Sequence, residues 1–208
     1  MKKVISIVLF LALLTCMMSC SILNGSGTTP DDNPSDKQTV YERLDNMADK
    51  SYASVKVSII TTTDTAQLSA NYVLTQTNVS YSIEQLNILP TDGNITGASS
   101  DFKTTLSGTA KVVNGKLVSV DGENVSLPSY SELKGNFSFD EKNFKNAVVG
   151  NDSLKADVIS PSDFYGTSVD AKEMSIEVTF SNDSLIRVTV TYKTENASVK
   201  TVYDFTSL

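Results

Sequence analysis

The sequence predicts a mainly antiparallel β domain with one helix at its N-terminal end, an α+β fold. From Tyr52 to the C-terminus, apolar residues alternate with polar ones in successive short runs. Such alternation places the apolar side chains of a strand on one face. Short polar segments separate the runs, which is typical of hairpins between antiparallel strands. Only the segment before Tyr52 has apolar residues at the spacing of a long helix.

The N-terminal helix is predicted over Asp36–Lys50. Five apolar residues there share one helical face: Val40, Tyr41, Leu44, Met47 and Ala48. Ser35 and Gln38 have the spacing of a capping box, which marks a helix start. We expect this apolar face to pack on the core of the domain.

Two β units are predicted in the first half of the domain. The first is a three-stranded meander, with inward stripes at Val55/Val57/Ile59, Leu68/Ala70/Tyr72/Leu74 and Val79/Tyr81/Ile83. The second is a hairpin between Leu106–Val113 and Lys116–Val120. Its Asn114-Gly115 turn suits a type I′ hairpin, because both residues tolerate positive φ angles.

The middle of the chain, Asp121–Asn151, is less regular. Four short elements are predicted there and just after it: helical turns at Ser129–Glu132, Asp140–Phe144 and Pro161–Gly166, and a short strand at Phe137 and Phe139. Gly166 is a typical helix stop after a proline start. A further strand is predicted at Leu154, Ala156 and Val158.

The C-terminal region predicts a second three-stranded meander. Its inward stripes are Met174/Ile176/Val178/Phe180, Ile186/Val188/Val190/Tyr192 and Val199/Thr201/Tyr203/Phe205. Its strand lengths and polar turns resemble those of the first meander. Both an internal duplication and the shared patterning of β strands account for that similarity.

Only one long helix is predicted to cover the apolar face of roughly ten strands. Strands lie about 4.8 Å apart, and a helix is about 10 Å across, so the helix covers only two or three strands. The sheet must therefore cover much of its own apolar face, as a curved sheet or incomplete β-barrel or, alternatively, as a β-sandwich. We expect the Asp36–Lys50 helix to lie against a sheet that contains four named core residues: Val57, Tyr72, Val188 and Tyr203.

The first 19 residues have the organisation of a secretory signal peptide. Lys2 and Lys3 precede the apolar run Val4–Leu14, which is shorter than the roughly 20 residues of a spanning helix. The small residue Ser19 directly before Cys20 resembles the lipobox of bacterial lipoproteins. That resemblance implies cleavage before Cys20 and attachment of diacylglycerol to its sulfur.

Two alternatives to this assignment stay open. Cys16 could be the modified residue, or the signal could be an ordinary secretory one with incidental cysteines. In the preferred interpretation, residues 20–37 are a lipidated cysteine followed by a flexible tether rich in Gly, Ser, Pro and Asp. Residues 38–208 are then a single β-rich domain.

Composition excludes several classes of chemistry. The chain has no histidine, and its only cysteines are Cys16 and Cys20. Triads that depend on histidine, imidazole metal sites and thiolate sites are therefore unavailable to the mature domain. No phosphate-binding or dinucleotide-binding motif is present. We predict a protein that is not an enzyme and has no catalytic residues, no metal site and no cofactor.

The net charge of the chain indicates which classes of partner it is suited to bind. The formal charge is −7, and without Lys2 and Lys3 the remaining 24 acidic and 15 basic residues give −9. Such a chain is poorly suited to phosphate backbones or to electrostatic binding of anionic headgroups. We therefore predict no nucleic-acid partner and a membrane attachment that depends on the lipid on Cys20.

The order of an N-terminal signal with a lipobox, a tether, a helix and a long antiparallel meander resembles the LolA/LppX group of envelope lipoproteins and lipid carriers. That resemblance covers about residues 38–208. It implies an incomplete β-barrel, partly covered by helices, whose concave face holds acyl chains. It also implies an arginine inside the cavity, for which Arg43 and Arg187 are the only arginines in the chain.

The sequence thus predicts an exported lipoprotein on the outer face of a bacterial membrane, either the cytoplasmic or the outer one. The leading hypothesis is that an apolar cavity binds or carries a lipid or lipopeptide. The alternative is a surface-display or envelope-assembly protein with a filled core, which binds another envelope protein.

Overall fold

The computed structural model describes residues 34–87, 103–114, 116–119 and 127–208. Its helices are α1 (Pro34–Ala48), α2 (Tyr130–Lys134) and α3 (Pro161–Tyr165), with a 3-10 turn at Glu141–Asn143. Its strands are β1 (Ser54–Thr62), β2 (Ala66–Leu74), β3 (Asn78–Asn87), β4 (Lys103–Val113), β5 (Lys116–Ser119), β6 (Phe144–Val149), β7 (Ser153–Val158), β8 (Glu173–Ser181), β9 (Ser184–Lys193) and β10 (Ser198–Thr206).

All ten described strands belong to one antiparallel sheet, in the order β5-β4-β3-β2-β1-β10-β9-β8-β7-β6. The chain therefore forms two five-stranded meanders, joined where the first strand pairs with the last. Val57 lies opposite Tyr203 at this junction. The sheet is open, with β5 and β6 at its edges, so the mainly antiparallel β prediction is confirmed. One continuous sheet replaces the two packed sheets of the sandwich alternative.

Alternation along each strand separates a covered face from an open face. In β8, Met174, Ile176, Val178 and Phe180 are buried, whereas the residues between them are mostly exposed. The same alternation in β2 buries five residues, from Ala66 to Leu74. The helices of the described ranges lie on the covered face, so the hydrophobic core is a single cluster between them and the sheet. Val57, Tyr72, Val188 and Tyr203 are all buried in it, as predicted.

Helix α1 is fixed to the C-terminal half of the sheet by apolar and polar contacts. Leu44 and Met47 are almost completely buried. The Tyr52 hydroxyl donates a hydrogen bond to the Met47 carbonyl oxygen (2.9 Å) and accepts one from the Leu185 N–H (3.0 Å). One side chain therefore satisfies a backbone group at the end of the helix and another on β9.

The predicted helix boundaries need correction. The helix runs from Pro34 to Ala48 instead of from Asp36 to Lys50. Ser35 is thus inside the helix and does not precede it as a capping residue. Pro34 at the start is consistent with the fixed φ angle of proline, which suits a first helical turn.

The strand predicted at Phe137 and Phe139 is wrong. Both side chains are buried, which explains the alternating pattern, but the backbone does not join the sheet. The Ser138 N–H donates to the Phe164 carbonyl oxygen (2.8 Å), and the Phe139 N–H donates to Asp45 Oδ1 (2.6 Å). A loop that inserts two aromatic rings into the core has the same periodicity as a strand.

Two further differences concern strands. Ile186 was predicted to face inward, but it is 45% exposed, and Leu185 is buried instead. A register shift between Thr179 and Phe180 moves the inward position by one residue at this hairpin. Strand β6 was not predicted at all, and its own irregularity, with Asn146 at φ 53°, disrupts the alternation.

Several local predictions are confirmed. The hairpin around Asn114 pairs Val113 with Lys116, and Asn114 has φ 51°. Ser129 caps α2 through a complete capping box with Glu132. Gly166 ends α3 in the left-handed conformation, at φ 63°. In each case local residue chemistry sets the backbone conformation.

Candidate functional site

The lipid-attachment site predicted at Cys20 lies outside the described residues, as do Cys16 and the predicted signal peptide and most of the tether. The last four residues of the segment predicted as tether, 34–37, belong to α1. Within the described part of the chain, no helix is long and apolar enough to cross a membrane. The anchor therefore stays a prediction from the sequence.

The covered face is where the resemblance to lipid carriers places an acyl cavity. Between β6 and β10 this face is filled by aromatic side chains. The Phe164 ring lies 5.4 Å from the Phe137 ring and 5.8 Å from each of the Phe139 and Phe144 rings, between centroids. The Phe137 ring also lies edge-on to Tyr203 at 4.9 Å. These separations are those of directly packed rings, with no room for a chain between them.

Three tyrosine hydroxyls are enclosed beside this cluster. The Tyr165 hydroxyl hydrogen-bonds that of Tyr203, and Tyr192 lies near both. Burial is the main reason that the pKa of each of these tyrosines is raised above its usual value. Burial also raises the pKa of Tyr72 to about 12. These hydroxyls therefore stay protonated over a wider pH range than usual.

Neither arginine lies inside the covered face. Arg187 is on the open face, where its Nε is 2.5 Å from Asp204 Oδ1. The pKa of its guanidinium is raised, mainly by that hydrogen bond. Arg43 donates to the Asn182 carbonyl oxygen (2.9 Å) and lies over the Phe180 ring, 5.4 Å from its centroid. The two side chains hold structural elements together at the surface of the domain.

Asp45 is a half-buried carboxylate in the covering layer, which consists of the helices and the loop that contains Phe137 and Phe139. Its Oδ1 accepts a hydrogen bond from the Phe139 N–H. This bond holds the loop that contains Phe137 and Phe139, called the aromatic loop below, against α1. Burial is the largest cause of the raised pKa of this carboxyl. Repulsion from Asp140 and Asp49 adds to it, while the hydrogen bond from Phe139 acts in the opposite direction. Within the described residues, the role of Asp45 is to fix the position of this loop.

A polar depression of about 710 Å³ opens to solvent beside α3, lined by Ser138, Lys142, Asn143, Ser162, Asp163, Gly166, Thr167 and Ser168. Lys142 Nζ lies 2.7 Å from Asp140 Oδ2. That contact raises the pKa of Lys142 and lowers that of Asp140. The depression has the polar lining of an ordinary hydrated surface, and not of an acyl pocket.

The open face of the sheet, opposite the helices, carries the charged residues of the strands and many hydroxyl and amide side chains, together with exposed apolar side chains at Ile60, Val73, Val113 and Val118. Small side chains form one row over the N-terminal meander, through Ser107, Ser82, Asn71 and Ser58. The Ser58 hydroxyl donates to Asn71 Oδ1 at 2.8 Å. The alternation in the sequence assigned these residues to the outward face. It did not show which strands adjoin, and so it missed the row.

Four ion pairs bridge neighbouring strands on this open face: Lys103–Glu84 (2.5 Å), Lys155–Glu177 (2.9 Å), Lys193–Glu173 (2.8 Å) and Arg187–Asp204 (2.5 Å). The Lys193 contact lowers the pKa of Glu173. Two shallow troughs, of about 290 and 400 Å³, cross the C-terminal half of the sheet. The lining of the first includes Lys155, Asp157 and Glu177 with Thr189 and Thr191, and that of the second includes Lys145 and Lys193 with Asp157, Glu173 and Thr191.

The described residues offer no assembled metal site. Within those ranges, no group of three or more His, Cys, Asp or Glu side chains converges to hold an ion. The acidic residues of the open face lie beside lysine or arginine partners, as above, or beside an amide, as Asp157 does with Asn146 at 2.8 Å.

Comparisons with known proteins add no family assignment. No protein-family model matches the chain, and the search of curated proteins finds no match.

Proposed function

We propose that this protein is a non-enzymatic lipoprotein of a bacterial envelope, and that its β domain binds a macromolecular partner through its outer surface. The observation that carries this proposal is the aromatic packing that fills the covered face along β6 to β10. Phe139 and Phe164 are completely buried, and they pack on three further aromatic rings in the space that a lipid carrier would keep for its ligand. A domain with a filled core must recognise its partner from outside.

We also propose that the open sheet is curved in the manner of an incomplete barrel. Ten strands at about 4.8 Å give a width of about 43 Å, whereas α1 is only 15 residues long. Even so, Val79 on β3 and Leu154 on β7 are both completely buried in the same core cluster. A single cluster that reaches both halves of so wide a sheet favours curvature around the covering layer.

The proposed anchor is the diacylglycerol on Cys20, and the support for it is the signal organisation of the first 20 residues. In the organism's own envelope, Cys20→Ser should leave the chain unprocessed or release it into the soluble fraction. Cys16→Ser is the matched control and should be processed and membrane-bound like the unaltered chain. A Cys20→Ser chain that is processed normally and stays in the membrane fraction would overturn the anchor.

Binding of an acyl ligand on the covered face is a second candidate function, and one observation favours it. The inward residues of β4 are less well covered than those of β8: Thr104, Leu106 and Val112 are only half-buried. A photoactivatable fatty acid added to cells should label peptides containing Leu106 or Val112 if this candidate is right. Labelling spread evenly over the chain would reject it.

A further inference from the structure

The charges of the described strands are distributed very unevenly. These strands carry nine basic and five acidic residues, and by strand alternation all fourteen lie on the open face, which therefore has a net charge of +4. Outside the strands, the residues whose side chains the structure describes comprise five basic and twelve acidic ones, a net of −7. An acidic protein thus presents one basic face, and the overall charge conceals it.

The basic charge of the open face is available to a partner. Four of its nine cations are in the ion pairs described above. The other five form no ion pair within the described part of the chain and are all exposed: Lys56, Lys111, Lys116, Lys145 and Lys200. Three of the five acidic residues on this face, Glu84, Asp157 and Asp204, are half-buried. The outermost layer of the face is therefore more basic than the net count indicates.

The five free lysines are spread over the whole sheet. Lys111 and Lys116 lie near the β5 edge, Lys56 and Lys200 lie on the central strands, and Lys145 lies on the β6 edge. The path across the sheet from one edge to the other is about 43 Å at the usual strand spacing. No compact anion contacts charges placed so far apart, so the distribution favours an extended partner with repeated negative charges.

The groups between the lysines include hydroxyls and amides, and also the exposed aliphatic side chains of Ile60, Val73, Val113 and Val118. The row Ser107, Ser82, Asn71 and Ser58 crosses the N-terminal meander, and Thr189 and Thr191 line the troughs of the other half. Every aromatic side chain of the described strands faces the covered side, so ring stacking on a sugar is not available on the open face. Recognition of a sugar there would depend on hydrogen bonds, charge and contacts with these aliphatic side chains.

We propose that the open face is a docking surface for an acidic polysaccharide of the envelope. Lysines would neutralise its carboxylates, and the hydroxyl and amide rows would hydrogen-bond its sugar hydroxyls. This inference rests on the proposed function, in which the partner is bound from outside. It names the chemistry of that partner.

The test measures binding of the full lipidated chain, in a non-ionic detergent, to fluorescently labelled alginate, a carboxylated polysaccharide. We expect saturable binding that weakens about tenfold or more between about 50 mM and 500 mM salt, because the free lysines are solvent-exposed. Neutral dextran should not bind. Polyphosphate, which has charge but no hydroxyls, should bind more weakly than alginate. Polyphosphate binding equal to alginate binding would overturn the assignment to a polysaccharide.

A pair of charge-reversed variants locates the binding. Lys111→Glu with Lys200→Glu changes the open face, at two positions whose cross-strand partners are not acidic. Lys134→Glu with Lys142→Glu changes net charge equally on the opposite side. We expect the first variant to lose at least about tenfold in alginate affinity and the second to stay within about twofold. Equal losses, or no alginate binding by the unaltered chain, would overturn the proposal.

The alternative occupant of this face is an anionic membrane. A dye attached at Ser69→Cys, on the open face, reports on it when the lipidated chain is anchored in vesicles. We expect the same emission in vesicles of phosphatidylcholine and in vesicles that also contain phosphatidylglycerol. A shift specific to phosphatidylglycerol would assign the face to headgroups and overturn the polysaccharide. Failure of the anchor itself is detected separately, by the Cys20→Ser fractionation.

Discussion

The two five-stranded meanders of the sheet have the same number of strands but different cores. In β8 of the C-terminal meander, all four inward side chains are large and buried. In β4 of the N-terminal meander, the inward positions include Thr104 and Gly108, and only Ala110 is buried. Stability should therefore be concentrated in the half of the sheet that the covering layer reaches.

The position of the covering layer explains this difference. Helix α1 packs on β9, and α2 packs on β1 and β2. The α2 contact is held by the Tyr130 hydroxyl, which donates to the Thr75 carbonyl oxygen at 2.8 Å. The aromatic loop and α3 pack between them, so β6 to β10 and the central strands face a second layer. Among the residues that the structure describes, fewer covering contacts are made with the N-terminal edge of the sheet.

The largest effect is expected at the aromatic cluster. Phe164→Ala should lower the free energy of unfolding by about 3–5 kcal/mol, because it removes a completely buried ring that four others contact. Urea unfolding followed by far-UV circular dichroism measures it. A loss below about 1 kcal/mol would mean that the cluster is loosely packed, as a ligand cavity would be.

A matched pair of leucines tests the difference between the meanders directly. Leu154 on β7 is completely buried, whereas Leu106 on β4 is half-buried. Leu154→Ala should cost about 2–5 kcal/mol and Leu106→Ala about 1 kcal/mol or less, since less apolar area is lost and solvent fills the space. Equal losses in the same urea experiment would contradict the proposed concentration of stability.

Asp45 tests the link between α1 and the aromatic loop. Asp45→Ala leaves the Phe139 N–H without its acceptor and should cost about 1–3 kcal/mol. Asp45→Asn keeps an acceptor oxygen and removes a charge that is partly desolvated and repelled by Asp140 and Asp49. At neutral pH it should therefore be at least as stable as the unaltered chain.

The difference in stability between Asp45→Asn and the unaltered chain should depend on pH, because the pKa of Asp45 is raised. A carboxyl whose pKa is raised by folding stabilises the fold when it is protonated, below its ordinary value of 3.8, and that contribution is lost as pH rises through its folded pKa. The gain in unfolding free energy of the Asn variant over the unaltered chain should thus be present at pH 7 and shrink towards pH 4. An advantage that grows in acid would show that the hydrogen bond from Phe139 outweighs burial.

The local elements could be predicted because each depends on residues close in sequence. The capping box at Ser129, the turn at Asn114 and the glycine stop at Gly166 each fix a backbone conformation without distant contacts. The alternating stripes of β2 and β8 also assigned their inward residues correctly.

The errors arose where tertiary contacts override local pattern. Phe137 and Phe139 alternate like a strand, but their backbone is bound to Asp45 and Phe164. Ile186 was displaced from the inward stripe by a register shift that only the pairing with β8 creates. The basic open face was missed because net charge averages over the whole surface, and the pairing of β1 with β10 is not visible in the sequence.

The central claim is that the covered face is filled and that the protein binds its partner from outside. Native mass spectrometry of the full chain, purified from its own envelope in mild detergent, tests this claim most directly. We expect one mass, that of the polypeptide with its covalent lipid, and no additional acyl ligand. A second, non-covalent lipid or lipopeptide bound at about one per chain, and lost on unfolding, would contradict the claim that the covered face is filled.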